Sequence, residues 1–327
     1  MKVIHWGYRN GSGLHRVSQD LADAEVKLGI DSVMLSTLEA PDVQKGVDIN
    51  ADVHVSHSHV PDEVRKKDSK IVWVAHGTPE HCFQVSVEQN VHKGYGAGDA
   101  WMLLQYWLQF ADAAVTFWPR HQKLYQSLSD KHTIIDCIPL GVDREFWKPT
   151  TSVGKYAGTP SVFSCENAHY IKWPLDLVMM WPWITEEIPF ARMHAIYLPT
   201  DQHRFWFPLI NRNGASFKGF FAGTVFSKED LRNAFNSVDY VTSFVRYGDF
   251  NRICLEAKAS GAKVISFAGN PYADYHIPEG NQIEQSRIMI RILKGEIEAR
   301  NPLEEVVDIS ETAKSMISIY ERVLKNG

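Results

Sequence analysis

Short apolar runs alternate with stretches of helical periodicity along the first half of the chain. Residues 2–6 are predicted as a strand, and residues 7–13 as a glycine-bearing loop. Leu14, Val17, Leu21, Ala24 and Leu28 then recur at helical spacing, which predicts a helix with one apolar face. Ser12 is placed to cap its first turn and Gly29 to close its last. Further strands are predicted at residues 31–36, 52–56, 70–75, 113–117 and 132–138. The longest apolar stretch, residues 101–118, is broken by Gln105, Gln109 and Asp112. Those three fall on one side of a helix, so the stretch predicts a buried amphipathic helix and not a membrane span. Strands alternating with helices predict a parallel sheet covered on both faces.

The pattern then breaks and restarts. Pro139-Leu140-Gly141-Val142-Asp143 leads into a segment rich in Pro, Thr, Ser and Gly that runs to Pro160. Beyond it, strands are predicted at residues 161–164, 192–198, 216–219, 240–244 and 263–267, with helices at 175–181, 228–236 and 252–260. Ala313, Met316, Ile317, Tyr320 and Val323 share one face of a closing helix. The expected organisation is an N-terminal α/β domain over 1–145, a linker over 146–160, a second α/β domain over 161–309 and a C-terminal helix over 310–327. Both domains are expected to be doubly wound.

Composition narrows the class. The 327 residues are 44% hydrophobic and 22% charged, as in an ordinary globular protein, so disordered, collagenous and disulfide-scaffold readings fall away. A net charge of −5 counts against a protein whose task is to coat nucleic acid. Cys82, Cys137, Cys165 and Cys254 include no close pair, which excludes a C-x-x-C redox or zinc signature. The first residues show no apolar leader, so a soluble, cytoplasmic protein is expected. Ten tryptophans are a surplus for which core packing is the simplest account.

The loop Gly7-Tyr8-Arg9-Asn10-Gly11-Ser12-Gly13 opens onto a helix N-terminus, where backbone N–H groups and the helix dipole favour a phosphate. It lacks the third glycine of a dinucleotide fingerprint, which lowers an NAD reading. Three later stretches add to it. They are the Pro139–Asp143 turn followed by Phe146 and Pro149, then Ile171-Lys172-Trp173-Pro174-Leu175-Asp176-Leu177, then Leu255-Glu256-Ala257-Lys258-Ala259-Ser260-Gly261 with the strand after it. In order and spacing they resemble the signatures of retaining glycosyltransferases of the GT-B fold, in the large family four.

The resemblance implies two Rossmann-like domains facing across a cleft, with the C-terminal helix crossing back to the first. It implies transfer of a sugar from a nucleotide diphosphate-sugar, a UDP-sugar first among them, to a hydroxyl acceptor. No metal or other cofactor is implied. Lys172, His76 and Asp249 are the expected catalytic residues. Gly11, Ser12, Gly13, Asn167, Arg252 and Glu256 are the expected donor-binding residues. Lys172 would neutralise the leaving diphosphate, Glu256 would accept the ribose hydroxyls, and His76 would meet the sugar or the diphosphate.

Two positions depart from the family pattern. Asn167 stands where the family commonly has an arginine, and Gly248, followed by Asp249, where it has an acidic residue. Arg252 and Arg246 are candidates to supply the missing charge. The acceptor class stays open among a glycan, a lipid-linked sugar, a metabolite and a hydroxymethylated DNA base. A nucleotide-sugar epimerase and a binding-only relative remain as rivals. The pair His57 and His59 has a spacing seen in some metal sites, but no carboxylate constellation accompanies it.

Overall fold

The computed structural model describes residues 1–7, 13–36, 48–57, 60–65, 69–80, 107–129, 134–151, 154–156, 158–164, 175–195, 227–246, 251–300 and 306–326. The chain forms two compact units, one of Met1–Asp143 with Val307–Gly327 and the other of Arg144–Val306.

Among the described residues, the first unit is built on six parallel strands: β1 (Lys2–Gly7), β2 (Asp31–Ser36), β3 (Val53–Ser56), β4 (Lys70–Val74), β5 (Ala113–Thr116) and β6 (Ile134–Cys137), in the order β2-β1-β3-β4-β5-β6. The inner strands β1, β3, β4 and β5 are almost wholly buried, as in a parallel sheet covered on both faces. Helix α1 (Gly13–Lys27) follows β1 and buries Val17, Leu21 and Ala24, as its spacing predicts. Leu28, the last of the predicted face, is exposed beyond the helix end, and Gly29 turns the chain there at φ +87°. Two further helices are α2 (Asp62–Arg65) and α3 (Pro119–Leu128); Pro119 opens α3, where its missing N–H costs nothing. One face of the sheet packs Ile4, Trp6, Val64, Trp73, Trp107 and Tyr125 into a core. Within residues 101–118, helix ends at Phe110 and β5 begins at Ala113, while residues 101–106 lie outside the described residues.

Among the described residues, the second unit holds five parallel strands, β7 (Ser161–Ser164), β8 (Arg192–Ala195), β9 (Tyr240–Ser243), β10 (Lys263–Phe267) and β11 (Tyr275–Ile277), in the order β11-β10-β9-β7-β8. Its helices are α4 (Leu175–Glu187), α5 (Lys228–Ser237), α6 (Ile253–Ala259) and α7 (Gln282–Leu293). A capping box fixes the start of α5: Ser227 accepts from the Asp230 N–H, and Asp230 accepts from the Ser227 N–H.

Three features of the second unit differ from the sequence reading. The α4 helix runs on through Pro182, where the pattern predicts an end at Trp181. A proline inside a helix costs about 3 kcal/mol. Met180, Trp181 and Ile184 are fully buried on either side of it, and each such side chain contributes about 1.5–3 kcal/mol, so burial wins. Strand β11 and helix α7 have no counterpart in the expected elements. The strand is three residues long and interrupted by His276, too short to show alternation. The strand expected at 216–219 lies outside the described residues.

Helix α8 (Ile309–Lys325) belongs to the first unit and packs on α1. Its buried face carries Ala313, Met316, Tyr320 and Val323 together with Ile319; Ile317 is only half-buried. The Pro139–Asp143 turn holds its start. Gly141 N–H donates to Thr312 Oγ1 at 2.8 Å, and Thr312 Oγ1 donates to the Pro139 carbonyl at 2.9 Å. Ile309 N–H reaches the Val142 carbonyl at 3.0 Å. A side chain at Gly141 would meet the Asp308 carbonyl oxygen at 2.5 Å, so only glycine fits.

Candidate functional site

In both sheets the strand order reverses, between β1 and β3 in the first unit and between β7 and β9 in the second. In open parallel sheets such reversals create a crevice outside the carboxyl ends of the strands, where ligands bind.

In the first unit those strand ends carry histidines. His5 lies within β1, His57 directly follows β3, and His76 follows β4. His57 Nδ1 is 2.8 Å from His76 Nε2, and its Nε2 is 2.9 Å from His5 Nδ1. His5 Nε2 is 2.9 Å from Glu25 Oε2 on α1. Ser32 donates to the same oxygen at 2.7 Å, and the Tyr320 hydroxyl of α8 donates to Glu25 Oε1 at 2.8 Å. His5, Glu25 and Tyr320 have no exposed surface and His57 is 3% exposed, whereas His76 is half-buried against Phe117. Burial, then the charges of His76 and His5, hold His57 well below the ordinary histidine range. Burial pushes the Glu25 carboxyl up, but the His5 charge and the hydrogen bonds from His5, Ser32 and Tyr320 outweigh it and keep Glu25 low. Burial and the Glu25 carboxylate push the Tyr320 hydroxyl well up, so it stays a donor.

The sequence reading picked out His76 and His57 but missed His5, Glu25 and Tyr320. A signal was present. Glu25 stands four residues after Leu21, on the face of α1 that is otherwise apolar, and a carboxylate there needs buried partners. Gly13 opens α1, and a side chain there would meet nothing. Gly7 is constrained, because a Cβ would come within 2.8 Å of Ser18 Oγ on α1. Gly11, Ser12 and His59 lie outside the described residues.

In the second unit, α6 follows β9. Arg252 precedes its first turn, and Glu256 projects from that turn. Both are buried, with Arg252 Nε 3.5 Å from Glu256 Oε1. Arg246, just beyond β9, pairs with Asp176 in the first turn of α4 at 3.3 Å. Burial pushes the Asp176 carboxyl up, opposed by the Arg246 charge and by hydrogen bonds from Arg246, Gln282 and Gln285. Deeper on α6, Lys258 pairs with Asp274 at 3.2 Å. Gly261 ends the helix at φ +91°. Asn167, Lys172, Gly248 and Asp249 lie outside the described residues. A cavity of about 440 Å³ lined by Lys155, Asp239 and Lys263 sits at the amino ends of β7, β9 and β10, opposite to Arg252 and Glu256 along the strands.

Among the described residues, no group of three or more His, Cys, Asp or Glu side chains is arranged to hold a metal ion. No helix among them is long and apolar enough to cross a membrane. Of the tryptophans, Trp6, Trp73, Trp107, Trp147 and Trp181 are core residues, and Trp183 is exposed.

Two doubly wound parallel sheets, with a C-terminal helix that returns to the first, define a GT-B fold. Solved structures share it over the whole chain. A sucrose-phosphate synthase from Thermosynechococcus elongatus superposes with a TM-score of 0.78 at 14% identity, covering 100% of both chains. HepE from Anabaena, in complex with UDP and glucose, gives 0.63 at 13% identity, covering 100% of this chain and 98% of its own. A glycosyltransferase from Rickettsia africae gives 0.66 at 14% identity, covering 100% and 99%. No family model and no curated protein matches the sequence.

Proposed function

We propose that the protein is a retaining glycosyltransferase that moves a sugar from a nucleotide diphosphate-sugar to a hydroxyl acceptor. The observation that supports this most is the GT-B fold matched end to end with enzymes of sugar transfer, one of them bound to UDP and glucose. In the proposed reaction the bond from the anomeric carbon to the diphosphate oxygen breaks, and a bond to the acceptor oxygen forms on the same face. The acceptor proton passes to the departing phosphate oxygen. No metal is required by this scheme, and a UDP-sugar is the donor proposed first.

Catalysis then rests on positioning and on stabilising the charge of the leaving group. Lys172 supplies that charge, helped by the amides of Gly11, Ser12 and Gly13. Glu256 takes the ribose hydroxyls, with Arg252 beside it as its counter-charge. Asn167 completes the donor contacts, Asp249 joins Lys172 at the reacting centre, and His76 meets the sugar or the diphosphate.

The test is a thermal-shift panel of UDP, GDP, ADP and CDP with their glucose conjugates. A rise in melting temperature for one base, with nucleotide release when an acceptor is added, supports the reading, since a ligand that binds the folded state stabilises it by mass action. No shift for any nucleotide overturns it. Binding without release points to a relative that has lost catalysis, and release without a glycosylated product points to an epimerase.

A further inference from the structure

Trp118 occupies the N-cap position of α3, where Ser, Thr, Asp or Asn would accept a backbone N–H. An indole can only donate, and α3 has no side-chain cap. Giving up such a cap costs about 1 kcal/mol. Core packing does not explain the choice, because Trp118 is only half-buried, unlike Trp6, Trp73, Trp107, Trp147 and Trp181. A position that breaks a local rule without a folding gain is where function is expected. The indole is held in place by His121, whose ring packs against it at a centroid distance of 4.9 Å and an interplanar angle of 66°. Two charged groups gather beside it. The Arg120 guanidinium lies 5.7 Å from the centre of the Trp118 ring, and its Nη2 is 3.7 Å from Glu80 Oε1, too far for a hydrogen bond. Among the described residues, the enclosed Glu80 Oε2 has no hydrogen-bond partner. The Tyr125 hydroxyl donates to the Gly77 carbonyl at 2.6 Å, which ties α3 to the segment between β4 and Glu80. All three groups follow the carboxyl ends of β4 and β5, where His76 packs against Phe117.

We propose that Trp118, Arg120 and Glu80 form a carbohydrate subsite that takes a neutral sugar ring. A pyranose has a face of C–H bonds, whose positive hydrogens meet the negative face of an indole. Its rim carries hydroxyls that donate and accept at once. Glu80 can only accept and Arg120 can only donate, so one hydroxyl set between them satisfies both. An enclosed carboxylate oxygen without a partner is costly, and a donating hydroxyl at Glu80 Oε2 removes that cost. A phosphate in the same place would pair with Arg120 but set its charge against Glu80, and a DNA strand brings a phosphate with every nucleotide. On the glycosyltransferase reading, on which this last step alone rests, the bound sugar is the acceptor. The acceptor is then a glycan or glycoside and not a hydroxymethylated DNA base.

The experiment is fluorine NMR of the full chain labelled with fluorotryptophan, with Trp118 assigned by loss of its signal in Trp118→Ser. That variant gives α3 the cap it lacks, which offsets part of the lost ring packing and keeps the chain folded. The probes are the methyl glycosides of glucose, galactose, mannose and N-acetylglucosamine, with a glucose phosphate and a single-stranded DNA oligonucleotide alongside. The expected result, with no donor present, is a saturable movement of the Trp118 signal with a neutral glycoside and none with DNA. Glu80→Gln keeps the shape and removes the charge. It should weaken that glycoside about tenfold, the worth of a hydrogen bond to a charged group. No movement with any neutral glycoside overturns the proposal, as does a response confined to the glucose phosphate or to DNA. Unchanged affinity in Glu80→Gln overturns the three-residue site. The donor reading is judged apart from this. A glycoside that moves Trp118 in a protein that no nucleotide stabilises supports the subsite and removes the transferase. A glycoside that moves Trp118 but stays unmodified while a bound donor is turned over overturns its assignment as the acceptor.

Discussion

The Tyr320 hydroxyl donates a 2.8 Å hydrogen bond to Glu25 Oε1, joining residues 295 positions apart in one buried network. The C-terminal helix is thereby fastened to the first unit by a polar contact as well as by its apolar face. Replacing Tyr320 with Phe keeps the ring and removes only the donor. A buried hydrogen bond to a charged group is worth about 1.5–3 kcal/mol. Tyr320→Phe should lower the unfolding free energy by that amount in urea denaturation, with the slope against urea unchanged. A loss within error of zero would show that Ser32 and His5 satisfy Glu25 without it.

The same network makes stability depend on pH. His57 has a folded value well below 6.5, so on unfolding it takes up a proton across the interval between the two. Stability from this source is complete above 6.5 and is lost as pH falls toward the folded value. The slope reaches about 1.4 kcal/mol per pH unit. Glu25 acts in a more acidic window. Its folded value lies below 4.5, so its contribution is present above 4.5 and lost as pH falls through the folded value. Urea midpoints measured on the acid side of 6.5 should fall with pH in the wild type and fall less steeply in His57→Gln. Parallel curves would remove His57 as the source.

Gly141 makes a different kind of tie. A methyl group there would sit 2.5 Å from the Asp308 carbonyl oxygen and 2.8 Å from the Ile309 nitrogen, both backbone atoms that no side-chain rotation can clear. Gly141→Ala should therefore push α8 away from the turn and cost about 1–3 kcal/mol, as overpacking does elsewhere. Limited proteolysis should cut the variant near residue 307 faster than the wild type. Equal rates would mean that the turn absorbs the methyl group by moving as a whole.

Much of this architecture is legible in the sequence. The helical spacing of Val17, Leu21 and Ala24 gave α1, and the apolar runs gave the inner strands, because those strands are buried on both faces. The Pro139–Asp143 turn stood out by composition, yet its glycine is explained only by Asp308, which arrives from far along the chain. Periodicity failed where packing overrode local rules, as at Pro182, or where an element was too short to show a period, as at Tyr275–Ile277. The buried network around Glu25 was legible in part. Glu25 could be suspected from its place on an apolar face, but that it meets His5, Ser32 and Tyr320 is a product of the fold.

Arg252 and Glu256 form a buried pair, which changes how the donor site is tested. Arg252→Ala would remove a cation from beside the buried Glu256 carboxylate, and breaking a buried pair by removing one partner costs about 3–5 kcal/mol. A loss of binding in that variant would then report on folding. Arg252→Lys keeps a cation beside Glu256 but cannot make the paired contacts of a guanidinium. If Arg252 also meets the diphosphate, the lysine variant should stay folded while its UDP dissociation constant rises about tenfold, or about 1.4 kcal/mol. Calorimetric titration with UDP measures this. Unchanged affinity would leave Arg252 as the counter-charge of Glu256 alone.

Lys172 carries the sharpest expectation for turnover. A cation on the leaving diphosphate matters most when the sugar bond is breaking, since charge on the phosphate oxygen grows toward the transition state. Removing such an electrostatic contact costs about a hundred- to a thousandfold in kcat. Lys172→Ala should show that loss with the melting temperature unchanged and with only a modest rise in KM for the donor. A larger effect on KM than on kcat would place the lysine on the ground-state diphosphate instead. Lys172→Arg should recover part of the rate, because it restores the charge with a different donor geometry. Near-normal turnover in the alanine variant would remove Lys172 from the chemistry and leave the positive charge to be sought at Arg246 or Arg252.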